Sequence, residues 1–446
     1  MKTFFTTSIL CLCLVSMAGA QPMPIGDAIS VPVDTVGNQE EPTIAVNKDG
    51  VIFVCYETPG RVNPPNRDLV AVISPDFENW TEVVIVSRDS VDEDPKSDAD
   101  PVTGNFGVTW YQDDDEGADR YADGDDMGQF FRIISADGTP VTDVISSSDD
   151  KTPRGAGGQG WGSCAFNPAD GNLYVISEDW GEGASGAPSP DGDGDAQVMR
   201  AFDGATGELV KGPIVVNQYG TGNQDDGFMA FAADGSFVAV WREYGGDDRI
   251  WFQQFDKDWN RVGPEVDPSV DSQVAFFIQN PQISGSADGN FVIVFEETQW
   301  ASDGDGTGIY LNLYNKDQTP IASDVLANEN FAGNQEDPEV DMDSTGRFVV
   351  VWEDSTIDED GKAAMCRAFN ADGSPAGPEM MVNQLTNGTQ EDATVAIVSP
   401  DVAAKVGFDF VVAYEDSGAN DGDGKGIFVR RFAFSEITPV HCWMVY

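Results

Sequence analysis

A single histidine stands in 446 residues, and that one, His441, falls within the last six. Ser-His-Asp catalysis, His-ligated zinc and histidine-based lyase chemistry all need an imidazole held inside a fold, so each is disfavoured. Basic residues are scarce too: 24 Lys and Arg stand against 77 Asp and Glu, for a formal charge of −53. Such a field repels nucleic acid and acidic membranes, and neither is expected as a partner. It also repels itself, which favours bound divalent cations or a salty medium; a plain solubility adaptation is the alternative. Past the N-terminus, no run reaches the ~18 apolar residues that a membrane span needs. Cysteine is sparse and scattered. Cys55, Cys164, Cys366 and Cys442 make neither a disulfide-dense scaffold nor a Cys-x-x-Cys metal site, their pairing is open, and no catalytic cysteine is expected.

Residues 1–20 carry Lys2, an apolar stretch from Phe4 to Val15, and Ala18-Gly19-Ala20 before Gln21. That is the pattern of a cleaved secretory leader, which predicts a secreted protein, extracellular or periplasmic, with mature residues 21–446. Loss of Lys2 would take the charge from −53 to −54. With 40% hydrophobic residues and ten Trp the chain can bury a core.

A strand ending in an aromatic residue and a carboxylate recurs seven times. The copies end at Glu57, Gln112, Glu178, Glu243, Glu296, Glu353 and Glu415, in steps of 55, 66, 65, 53, 57 and 62 residues. Before most of them lies Asp-Gly, as at Asp49-Gly50, Asp234-Gly235 and Asp288-Gly289, a strong hairpin signal because both residues accept positive φ. The preceding strand is introduced by a polar tag, Gly37-Asn-Gln-Glu-Glu-Pro42, Gly222-Asn-Gln-Asp-Asp226, Gly333-Asn-Gln-Glu-Asp-Pro338 or Gly388-Thr-Gln-Glu-Asp392. An acidic loop, a third strand, a turn and an outer strand complete each unit. Four antiparallel strands repeated near every 60 residues predict an all-β fold, a seven-bladed β-propeller forming one domain and, as expected, a monomer. Ile29–Val33 is expected to close the last blade, with residues 437–446 as a competitor for that place.

These tags, with Asp-Gly-x-Phe-Val-Val-Val-Trp and Gly-Ile-Tyr, resemble repeats of large secreted bacterial proteins of β-propeller type, often found with calcium-binding adhesin modules. The resemblance runs from Gly37 to Phe434 and is weakest between Glu93 and Gly220. It implies export and a propeller, and little chemistry.

In such a blade the leading tags and the acidic loops share one face of the disc. A binding face is therefore expected at Glu57, Glu243, Glu296, Glu336, Asp337, Glu353, Asp354, Glu391, Asp392 and Glu415, with Trp180 and Trp300. Trp161, Trp251 and Trp259 also lie in or beside loops and suit sugar contact, whereas Trp241 and Trp352 end core strands and read as packing. Alternating aspartates and glycines at Asp191, Asp193 and Asp195, at Asp303 and Asp305, at Asp358 and Asp360, and at Asp421 and Asp423 suit Ca2+, since several oxygens can converge while glycine allows the tight path. Solubilising turns are the alternative. The expected function is a binding module for an extracellular glycan or protein. The alternative is a carboxylate-dependent glycoside hydrolase or other polysaccharide-active enzyme, since acid/base catalysis needs only two carboxyl groups. Sialidase-type Ser-x-Asp-x-Gly-x-x-Trp boxes are not found.

Overall fold

The computed structural model describes residues 21–33, 35–59, 67–87, 91–113, 127–147, 159–180, 191–192, 194–220, 222–245, 248–268, 278–297, 305–358 and 360–434. Asp193, Trp300, Asp303, His441, Cys442, residues 1–20 and residues 437–446 lie outside them. Strands run Glu40–Val46, Ile52–Pro59, Arg67–Ser74 and Thr81–Val86 in the first unit, and the same antiparallel order repeats to the end of the chain. Five sheets hold four strands; a sixth holds eight, being two four-stranded units joined by a single parallel bridge between Arg67 and Val91. The chain is a β-propeller of seven blades.

The blades hold together through side chains that alternate across each strand. Seven apolar clusters each join two neighbouring blades, and one of them joins the first to the last: Val54 and Val72 pack with Val411 and Val429. Within a blade the residue that opens strand two stacks on the residue directly opposite at the end of strand three. Phe348 and Phe369 lie 5.0 Å apart and Phe410 and Phe432 4.8 Å apart, both nearly parallel. Trp241 and Trp352 are buried in this core, as is Trp259, which the sequence placed beside a loop. Cys55, Cys164 and Cys366 are buried free thiols.

The last blade is completed by the N-terminal strand. Pro22–Ser30 pairs antiparallel with Gly426–Phe434, Ile29 opposite Val429. The sequence centred this strand on Ile29–Val33; pairing instead ends where Val31 donates its N–H to Ile427 O, because Pro32 has none to give. One further departure is the helix Pro400–Val406, which replaces the tight hairpin of blade 7. Proline sits in its first turn and Gly407 closes it in the left-handed region, a start and stop signal that the strand pattern overshadowed.

Removing residues 21–31 should strip the outer strand from blade 7 and expose the unpaired edge of Gly426–Phe434. We expect a melting temperature several degrees lower for the whole ring, read by calorimetry; equal melting of the truncated and intact chains would show that this strand contributes nothing to closure.

Candidate functional site

Every first strand carries one extra residue at the same height. The register slips between Glu40 and Thr43, Glu93 and Lys96, Gly160 and Ser163, Asp225 and Phe228, Gln279 and Gln282, Glu336 and Glu339, and Glu391 and Thr394. At each bulge one non-glycine residue is forced to positive φ: Glu41, Asp94, Trp161, Asp226, Asn280, Asp337 and Asp392. Asp and Asn tolerate that region; Glu and, above all, Trp do not, so the bulge is held by the ring rather than chosen locally. All seven residues line one cavity of about 330 Å³ at the mouth of the central channel. Lys96 and Glu339 form its floor and also line the channel cavity below, of about 410 Å³. Lys96 is committed to Asp94, 2.5 Å from its Oδ1.

Around this mouth stands a second ring, the residue of strand two opposite each bulge: Glu57, Tyr111, Glu178, Arg242, Glu296, Glu353 and Glu415. Register thus moves two members of the expected column by one residue. Gln112 gives way to Tyr111, and Glu243 to Arg242; Glu243 turns outward and accepts Trp251 Nε1 at 2.6 Å. Several of these glutamates bind the next blade's bulge backbone. Asp94 N donates to Glu57 at 2.9 Å, Asp337 N to Glu296 at 3.3 Å and Asp392 N to Glu353 at 2.7 Å.

In four blades the residue that leads into strand three pairs its charge with the ring member. In blade 1 Arg67 meets Glu57 and in blade 7 Lys425 meets Glu415, each at 2.5 Å, and Lys362 meets Glu353 likewise. These cations also reach Glu40, Glu93, Glu336 and Glu391. Blade 4 inverts the pair, with Arg242 on the ring and Asp248 beside it at 2.9 Å. Blade 3 breaks the rule. There Asp195 takes the lysine's place and faces Glu178, carboxyl against carboxyl. Glu178 is 3% exposed, and its Oε2 has no donor among the described residues, so the two carboxyls can bond only by sharing a proton. Burial, then the neighbouring Asp195 and Asp225, push Glu178 up to about 9.

Beside this pair lies an aromatic arc. Trp180 Nε1 donates to Glu178 Oε1 at 2.5 Å; its ring is 5.4 Å from Trp161, and Trp161 is 5.7 Å from Tyr111. Trp161 is 42% exposed. It holds in blade 3 the bulge position that the other blades give to Glu, Asp or Asn.

The other expected residues have plainer places. Asp337 and Asp392 line the mouth; Glu336 and Glu391 are ion-paired on its rim. Asp354 caps its own loop through the N–H groups of Thr356 and Ile357. The acidic loops dock on the tag of the following blade: Asp305 accepts Gly333 N, Asp360 accepts Gly388 N, and Asp423 accepts Gly37 N, at 3.3–3.5 Å. Asp191 accepts Asn217 Nδ2, and Asp358 accepts Asp360 N. Asp421 takes the N–H of Asp423. A Cβ on Gly361 would come within 2.8 Å of Gly388 O, and one on Gly424 within 3.0 Å of Gly37 O, so glycine recurs in these loops because two backbones meet there.

No family model and no curated protein matches this chain. Solved structures do. An ulvan lyase, a polysaccharide lyase, superposes over 94% of this chain and 96% of its own at 10% identity, with a TM-score of 0.53. An α-L-arabinanase from Penicillium chrysogenum (13% identity, 92% of this chain and 98% of its own, TM-score 0.44) and a protein of unknown function from Dyadobacter fermentans (14%, 81% and 97%, 0.48) are also similar. The ulvan lyase likeness establishes the propeller fold. Among the described residues no helix is long and apolar enough to cross a membrane.

Two measurements follow from this geometry. Burial holds Glu57 near 7, Glu353 near 8 and Glu178 and Glu415 near 9. Below the unfolded value both states keep the proton; above it the unfolded chain ionises while the fold retains it, so these groups remove stability as pH rises through the window up to about 9. Turn aspartates such as Asp76, lowered to about 2 by its loop hydrogen bonds, act only in acid. Melting temperature should peak near pH 5 and fall toward pH 9 at fixed ionic strength; a flat or rising profile would contradict the buried-carboxyl picture. Separately, Asp305→Asn removes a charged acceptor from the clasp and should cost about 1–2 kcal/mol equally in calcium and in chelator. A loss seen only with calcium would assign the loop to cation binding.

Proposed function

We propose that this protein is an exported, glycan-active enzyme that hydrolyses a glycosidic bond at the axial mouth. The observation that carries the reading is the Glu178–Asp195 carboxyl pair beside Trp161 and Trp180, where, among the described ring positions, the residue leading into strand three sets a second carboxyl against a buried glutamate. A strained, exposed tryptophan offers a flat face for the apolar side of a sugar. The pair keeps a proton at neutral pH, as a general acid requires. As the bond between anomeric carbon and leaving oxygen breaks, that oxygen takes the proton from Glu178. Water adds to the anomeric carbon, and an ionised carboxylate of the mouth receives the water's proton; Asp94, ion-paired with Lys96, is the candidate.

The fold likeness to an ulvan lyase supports a carbohydrate ligand. Elimination is the weaker chemistry, because it needs cations to neutralise a uronate, and the one ammonium of the mouth already serves Asp94. The leader-like residues 1–20 support export. With a panel of oligosaccharides, Glu178→Gln should lower kcat by roughly 10²–10⁴-fold while KM holds, and Trp161→Ala should raise KM. Glycan binding that depends on Trp161 without turnover of any member of the panel would make the protein a binding module. Full activity in Glu178→Gln would remove Glu178 as the acid.

A further inference from the structure

The mouth also selects ligands by charge. Glu41, Asp94, Asp226, Asp337, Glu339 and Asp392 line a single cavity with Trp161 as its aromatic wall, and among the described residues that line it the only cation is Lys96 on the floor. Beside that wall stands Glu178, tied through Trp180 to Trp161 and facing Asp195. Elsewhere on the same face acids share cations. Arg67, Lys362 and Lys425 each bridge two or three glutamates of the rim. The bulge carboxyls inside the cavity have Lys96 paired to Asp94 and Arg242 3.8 Å from Asp226, which leaves Glu41, Asp337 and Asp392 without a salt bridge among the described residues. Burial followed by the charge of Asp94 raises Glu41 to about 8, and burial followed by Glu391 raises Asp392 to about 6.

We infer that the glycan accepted at this mouth is cationic, an amino sugar with a free ammonium group, and that uronate and sulfated glycans are rejected. An ammonium group brings the missing charge to the carboxylate ring and can lie against the Trp161 face by cation–π attraction, while the sugar's apolar side stacks on the same wall. A uronate would meet the carboxyl groups of the mouth in a confined space whose one lining lysine is already paired with Asp94. Selection therefore has a repulsive part as well as an attractive one. This rests on the glycan reading above.

Titration calorimetry of the whole mature chain with glucosamine oligomers, N-acetylglucosamine oligomers and galacturonate oligomers tests it. The glucosamine series should bind roughly tenfold or more tightly than the acetylated one, about 1.4 kcal/mol, and lose much of that advantage at high salt. Galacturonate should show no heat of binding. The isosteric pair Asp337→Asn and Asp392→Asn should narrow the preference while Trp161→Ala weakens both series, with circular dichroism confirming that each variant folds. Equal or tighter binding of the acetylated or acidic series, or a preference untouched by the Asn variants, would overturn the inference. Either result leaves hydrolysis standing if Glu178→Gln still abolishes turnover of whichever series is cleaved; failure to turn over any oligosaccharide sinks the hydrolase reading without bearing on the charge preference measured by binding.

Discussion

Where blades 1 and 2, 5 and 6, and 6 and 7 meet, a buried glutamate at the end of one blade's second strand accepts a backbone N–H from the bulge of the next. The bulge residue must stand at positive φ to present that N–H, and doing so turns its own side chain toward the axis. One hydrogen bond thus links two consequences. It ties neighbouring blades near their inner edge, and it points a circle of polar side chains into the mouth. The clasp is made at Asp94, Asp337 and Asp392, whose left-handed conformation aspartate tolerates; the left-handed Glu41 and Trp161, at a cost of order 1–3 kcal/mol each, have no such bond among the described residues. A functional rim and a structural clasp are here the same atoms.

The repeat was readable because its parts are local. Asp-Gly hairpins, alternating apolar positions and the Gly-Asn-Gln tag all express short-range geometry, and the tag's recurrence now has a cause. Its glutamine N–H groups meet the carbonyls that lead into the previous blade's third strand, as Gln335 N does Thr307 O and Gln390 N does Lys362 O. Its glutamine side chains join the asparagine that ends the previous outer strand, Asn328 with Gln335 and Asn383 with Gln390. Bulge phase was not readable. An inserted residue leaves alternation intact on either side, so aligning copies by their last acid placed Glu243 and Gln112 where Arg242 and Tyr111 belong. Counting one residue past the strand's last buried aromatic, Trp241 or Trp110, finds both. Trp161 was harder, since blade 3 lacks the tag and only the ring's register shows that a tryptophan occupies an acid's place.

The column of residues before strand three shows how a symmetric scaffold acquires a single site. Arg67, Lys362 and Lys425 each bring a counter-charge to the buried ring glutamate of their blade, and Asp248 serves Arg242 by the reverse arrangement. Each exchange leaves one charge facing its opposite, and the fold is indifferent to which is which. Asp195 opposite Glu178 has no such balance, and burial makes it costly unless a proton is held between the two. Cost at a position where the other blades show a cheap solution is the physical mark of a place shaped by something besides stability.

Net charge gives that mark its context. A chain of −53 whose carboxyls crowd one face gains stability from anything positive that reaches the folded state, whether protons, metal ions or a cationic ligand. Protons are the least selective of these and act on every crowded carboxyl at once. Metal ions would have to compete with backbone N–H groups already bound by Asp305, Asp360 and Asp423. A ligand ammonium needs only the central cavity, where the carboxylates converge without such partners from their own loops and Trp161 supplies an apolar wall. The same charge that makes the ring self-repelling therefore favours a cation at its axis, where the carboxyls of several blades converge on one cavity.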